Sequence, residues 1–107
     1  MGGTETNSWV IFMTPAISRL EFENEFCITT RWTFPPGSST GYHRHAHDYV
    51  VVPTISGELT LIHPDGSETT NTITAGQPYS RTCGTEHDVL NRSGEVVEFL
   101  EIEFTRK

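Results

Sequence analysis

Three of the five histidines of this chain fall within five residues, in Gly41-Tyr42-His43-Arg44-His45-Ala46-His47-Asp48-Tyr49, and His87 follows a Gly84-Thr85-Glu86 turn downstream. Imidazole is the commonest metal-ligating side chain, so the chemistry this spacing suggests is coordination of a cation. Residues two apart on a strand point the same way and sit roughly 6.6 to 6.8 Å apart, which lets His43 and His45 lean onto one ion. His47 shares that face, but about 13 Å of strand separates it from His43, too far for bonds near 2.1 Å unless the chain bulges. The third ligand must therefore come from another strand. His87 is the best-placed candidate, whereas His63, which opens a Pro64-Asp65-Gly66 turn, reads as a surface residue.

Three histidines around one divalent transition metal, whether iron, manganese, nickel or zinc, would leave two or three coordination positions open to water, substrate or dioxygen. Neutral ligands also leave the charge of the ion uncompensated, which favours an anionic substrate such as a carboxylate or enolate. Asp48, His47 and Tyr49 are candidates to move a proton or support the ligands; Arg44 and Arg81 are candidates to hold an anion. Trp32, Phe34, Tyr49 and Tyr79 would form core or the wall of a small apolar pocket. Two functions follow. One is a metal-dependent enzyme acting on a small organic acid or carbonyl compound, dioxygenase-like or related; the other is a non-catalytic module that binds or senses a small metabolite. Histidines serving structure alone are disfavoured, because imidazoles converging in an interior without an ion would each demand a hydrogen-bond partner.

Short strands must position these residues. Apolar residues occupy even positions from Leu20 to Phe34 and charged ones odd positions, a period of two that predicts a strand with one wet face over 18–34. Pro35-Pro36-Gly37 breaks it. Tyr49 to Val52, ended by Pro53, and Gly57 to Ile62, ended by His63-Pro64-Asp65-Gly66, read as two more strands, with Thr69 to Thr74 as a return arm. After Ala75-Gly76-Gln77-Pro78 a segment runs to Asn91. The last strand sets Leu100, Ile102 and Phe104 on one side and Glu101 and Glu103 on the other. No apolar stripe of helical period is long enough for a stable helix, so the expected class is all-β: a single-domain antiparallel β-barrel or jelly roll.

A length of 107 residues suits one domain, with residues 1–8 expected as a flexible tail and residues 9–107 as the barrel. Seven basic against fourteen acidic residues, a net charge of −7, would repel a phosphate backbone or an anionic bilayer, so neither nucleic acid nor membrane is an expected partner. The absence of a long apolar run or a basic-then-apolar leader predicts a cytoplasmic protein. Cys27 and Cys83 read as two reduced, partly buried thiols. A homodimer is expected, because small barrels pair readily through edge strands.

Two stretches resemble the paired motifs of the cupin superfamily. Gly37, His43, His45 and Gly57 fall into the slots of the first motif, and Gly76, Gly84, His87 and Asn91 into those of the second. The string from His43 to Pro53 further resembles small bacterial single-domain cupins of the β-alanine degradation type. The resemblance covers roughly residues 26 to 104 and implies a barrel holding a metal on three histidines and one glutamate. This sequence departs from the pattern twice: the glutamate slot holds Val50 and a proline slot holds Thr82. Asp48, re-aimed by a bulge, or His47 would then be the fourth ligand, or the site would stand on His43, His45 and His87 alone.

Overall fold

β-branched runs punctuated by proline and glycine fold into eleven strands, with no helix among the described residues, 13–106 of the computed structural model. They are β1 (Thr14–Pro15), β2 (Ile17–Glu23), β3 (Cys27–Phe34), β4 (Ser38–Ser39), β5 (His43–Arg44), β6 (Tyr49–Ile55), β7 (Gly57–Ile62), β8 (Glu68–Ile73), β9 (Tyr79–Arg81), β10 (Glu86–Asn91) and β11 (Val97–Phe104). The tail expected at 1–8 and the boundary at residue 9 lie outside the described residues.

The strands form two facing sheets. One has the order β1-β4-β10-β7-β8 with β5 beside β10; the other has the order β2-β3-β11-β6-β9. All pairings are antiparallel except that of β1 with β4, and the chain crosses repeatedly from one sheet to the other, as a jelly roll does. Phe34, Val51, Leu59, Ile73, Val89, Val97 and Phe99 fill the space between them. Each such burial contributes about 1.5–3 kcal/mol. The Phe34 and Phe99 rings meet with centroids 5.5 Å apart, tying β3 to its neighbour β11.

Three local features differ from the sequence expectation or refine it. The alternation over 18–34 runs through a turn, so the expected single strand is the hairpin β2–β3. Asn24 makes that turn, its side-chain oxygen accepting from the amides of Phe26 and Cys27 at 2.9 Å each. Asparagine competes with the ladder in this way wherever its side chain can reach its own backbone. Pro53 does not end its strand: β6 continues to Ile55, and the register with β11 shifts between Glu98 and Phe99, where a residue without an N–H is tolerated. Gly57, which opens β7, sits so close to the buried Val97 that a Cβ there would lie 2.5 Å from a Val97 methyl.

Asn91, wholly buried at the end of β10, fastens three segments. Its amide donates to the carbonyls of Phe34 at 2.8 Å and Glu95 at 2.7 Å, and its oxygen accepts from the amide and hydroxyl of Ser93. The asparagine of the second motif is therefore a fastening for the turns around β10 rather than part of the chemistry.

Candidate metal centre and its cavity

Pairing of β5 with β10 sets His43 directly opposite His87. His45 follows immediately and is held by backbone bonds to the preceding turn of β10: its amide donates to the Thr85 carbonyl at 2.9 Å, and its carbonyl accepts from the Gly84 amide at 2.8 Å. That turn needs glycine, since Gly84 has φ +93°. His43 and His45 thus reach one site without the regular strand that their spacing suggested, because β5 ends at Arg44.

The three rings converge. His43 Nε2 lies 3.0 Å from His45 Nε2, which lies 3.3 Å from His87 Nε2, and the rings stand at 75–84° to one another. Two ligand atoms bonded to one ion at about 2.1 Å are about 3.0 Å apart at a right angle and about 3.4 Å apart at a tetrahedral angle. The donor spacing fits a single cation. The Gly41 carbonyl, 2.8 Å from His43 Nδ1, can only accept, so Nδ1 carries the proton and Nε2 presents its lone pair to the centre. Burial, reinforced by His43, lowers the pKa of His45 to about 4; burial, then His43 and His45, lowers that of His87 to about 3. Both are neutral at pH 7, the protonation state that ligation requires.

The sheets enclose a cavity of about 420 Å³ beside this cluster, walled in part by Trp32, Leu59, Tyr79 and Phe99. Tyr49 and Val51 face it from β6, whereas Val50 does not. The residue of β6 nearest the histidines is accordingly Tyr49, one position before the slot that the motif assigned to glutamate. Its ring stacks on His45 with centroids 4.0 Å apart. Burial, reinforced by Glu101, pushes its phenol well above the usual range, so Tyr49 is a proton donor at neutral pH and not a base.

The structure does not bring the other candidate fourth ligands to the histidine cluster. Asp48 is exposed, and its carboxylate accepts from the Cys83 amide at 2.7 Å, bracing the segment after β9. Regular alternation into β6 turns it away from the site, with no bulge to re-aim it. His47 borders the cavity but stands outside the group of converging ligand atoms. His63 bonds Thr69 across its own hairpin at 2.7 Å. Arg44 is exposed with its Nε 3.9 Å from Glu86, while Arg81 borders the cavity and lies over the Tyr79 ring at 4.6 Å. Of the two thiols only Cys27 is buried; Cys83 is exposed.

Sequence reasoning missed Glu101 and Glu103. Read by itself, β11 has its apolar side at Leu100, Ile102 and Phe104, but its buried face is the other one, carrying Val97, Phe99 and Glu101. Val97 and Phe99 were the available signal, since residues two and four further on share their face. Glu101 is opposite Val51 and Glu103 opposite Tyr49, and a carboxylate oxygen of each comes within 4.8 Å of a His45 nitrogen and of the other. Burial, then the proximity of Glu103, pushes the Glu101 carboxyl up to about 7, against a bond from Trp32 that holds it down.

Residues 30–103 match the cupin domain family. The chain is 46% identical over 88 residues to the β-alanine degradation protein BauB of Pseudomonas aeruginosa, covering 82% of this chain and 92% of that protein. It is 28% identical over 90 residues to an oxalate-binding protein of Thermotoga maritima, covering 84% and 72% of the two chains. A crystal structure of a cupin domain from Bordetella pertussis superposes with a TM-score of 0.84 at 44% identity, over 88% of this chain and 97% of that one. With the motif histidines converging in a two-sheet jelly roll and the family match spanning most of the strands, this chain belongs to the cupin family.

Proposed function

We propose that the protein is a metal-dependent cupin enzyme in which His43, His45 and His87 hold one divalent transition metal, iron, manganese, nickel or zinc, and the adjoining cavity takes a small organic acid or carbonyl compound. The observation that carries this reading is the spacing of the three Nε2 atoms, 3.0 and 3.3 Å between neighbours. When bound, the metal would supply Lewis-acid polarisation of a substrate oxygen. Tyr49, kept protonated beside His45, would donate a hydrogen bond to that substrate, and Arg81 at the cavity wall would attract its negative charge. Asp48 would act only from outside, by bracing the segment after β9.

The size of the cavity supports a small ligand, as does the name of the Pseudomonas relative, which places that protein in the breakdown of a small amino acid. A second reading, a module that binds a small acid without turning it over, is favoured by the name of the Thermotoga relative. The deciding experiment is elemental analysis of the purified protein and its His87→Ala variant, combined with a screen for turnover of small acids. One metal per chain lost in the variant, together with turnover, supports the enzyme; one metal with binding but no turnover supports the module. An unchanged metal content in the variant refutes the role of the histidines in both.

A cytoplasmic homodimer completes the proposal. All seven residues of β2, an edge strand among the described residues, are exposed, among them Ile17, Leu20 and Phe22, each more than half accessible. An apolar edge of this kind is the surface a second copy would cover.

A further inference from the structure

The cavity has two chemically opposite ends, and His45 belongs to both. Its nitrogens take part in the group formed with His43 and His87, and also in a second group formed with Glu101 and Glu103. Those carboxylates come from β11, a strand that contributes nothing to the family motifs quoted above, and they line the cavity. Glu101 is only 9% exposed, yet neither carboxylate forms an ion pair within 4.0 Å among the described residues. Two cations border the cavity, and neither pairs with these carboxylates: Arg44 lies 3.9 Å from Glu86, and Arg81 lies over Tyr79 and donates to the Ser80 carbonyl at 2.9 Å. A buried carboxylate without a countercharge is costly, and here it faces space large enough for a ligand to supply one. Trp32, which bonds Glu101, and Tyr49, which is opposite Glu103, line the cavity together with Tyr79, and ring faces attract organic cations.

We infer that Glu101 and Glu103 form an ammonium-binding end of the cavity, so that the ligand is a small organic acid carrying an amine, its carboxylate directed to the three histidines and its ammonium to β11. This rests on the proposed histidine metal site, and it narrows the ligand from any small acid to an amino acid or amine-bearing analogue. Glu101 and Glu103 are specificity residues on this view, supplying the countercharge that a simple carboxylate cannot use.

The test uses two matched probes on the full chain loaded with cobalt(II), whose visible absorption reports the histidine site. 3-Aminopropanoate and propanoate differ only in the ammonium group, and calorimetric titration should show the former binding about tenfold or more tightly, as expected of a charge-assisted hydrogen bond. In Glu101→Gln and Glu103→Gln that preference should fall, and in the double variant vanish, while the protein still takes up cobalt at the histidines. Equal binding of the two acids by the unaltered protein overturns the inference. So does a preference that survives in the double variant, which would mean the amine reaches the metal, and so does loss of the cobalt spectrum in these variants, which would make the carboxylates metal ligands. Propylammonium probes the acidic end in metal-free protein: saturable binding that Glu101→Gln abolishes supports the inference, and its absence overturns it. Failure to take up cobalt sinks the metal site and leaves the propylammonium result to judge the acidic end.

Discussion

His43 and His87 are cross-strand partners in the β5–β10 pairing, their ring centroids 4.9 Å apart. A residue pair of this kind is positioned by the backbone ladder, so the strand pairing itself sets where the two rings stand. Little ordering entropy would oppose binding.

The first prediction concerns ligand count. His43→Ala and His87→Ala should each weaken zinc or cobalt binding by more than about 100-fold, because changing even a group hydrogen-bonded to a ligand costs 10–100-fold. Asp48→Asn should leave metal stoichiometry unchanged, since its carboxylate is committed to the Cys83 amide outside the cluster. Competition titration with a chelator measures both. Loss of metal in Asp48→Asn would mean that a carboxylate from this segment does reach the ion.

A second prediction concerns pH. The Glu101 carboxyl is pushed up to about 7 in the folded chain and returns to its ordinary 4.5 on unfolding. Between those values the unfolded chain releases a proton that the folded chain keeps, so rising pH favours unfolding. The cost is absent below about pH 4.5 and complete above about pH 7. Glu101→Gln does not titrate, and the difference in melting temperature between it and the metal-free parent should therefore grow in favour of the variant from pH 4.5 to 7. A difference that stays flat across that range would show that Glu101 ionises as an ordinary carboxylate does.

The fold class and the histidine triad were legible because both depend on local pattern. Strands of period two with proline and glycine breaks permit few architectures, and only His87 stood behind a turn able to direct it at His43 and His45. What was not legible depended on partners distant in sequence. The last strand displays an apolar residue at every even position from 100 to 104, and nothing in that stretch says that the opposite face is the buried one. The answer lies in Val97 and Phe99, which pack against Phe34 and its neighbours and thereby turn Glu101 and Glu103 inward. Likewise the alternation from Leu20 to Phe34 looked continuous because the Asn24 turn reverses the chain without disturbing the parity of the apolar positions.

A third prediction follows from the approach of Gly57 to Val97. A Cβ at residue 57 would lie 2.5 Å from a methyl of a side chain that is itself wholly buried, so the contact cannot relax into solvent. Gly57→Ala should destabilise the protein by about 1–3 kcal/mol, the usual cost of overpacking. Adding Val97→Ala should recover part of that loss even though Val97→Ala alone creates a cavity, a non-additivity that a double-mutant cycle of chemical denaturation would read directly. Strict additivity would place the cost elsewhere than in this contact.

The last prediction bears on assembly. Leu20 and Phe22 are 55% and 53% exposed on β2, which among the described residues is an edge strand with one row of backbone groups lacking a sheet partner. Covering such an edge with the same edge of a second copy would satisfy both the backbone and the apolar side chains at once, through a two-fold arrangement. Sedimentation of the parent chain should therefore give a dimer, and Leu20→Glu with Phe22→Glu a monomer, because like charges would face each other across the axis. The monomer should keep its metal affinity, since β2 takes no part in the convergence of His43, His45 and His87. A parent chain that sediments as a monomer at high concentration would leave the exposed face of β2 unexplained by pairing, and a dimer that survives both substitutions would place the interface on another strand.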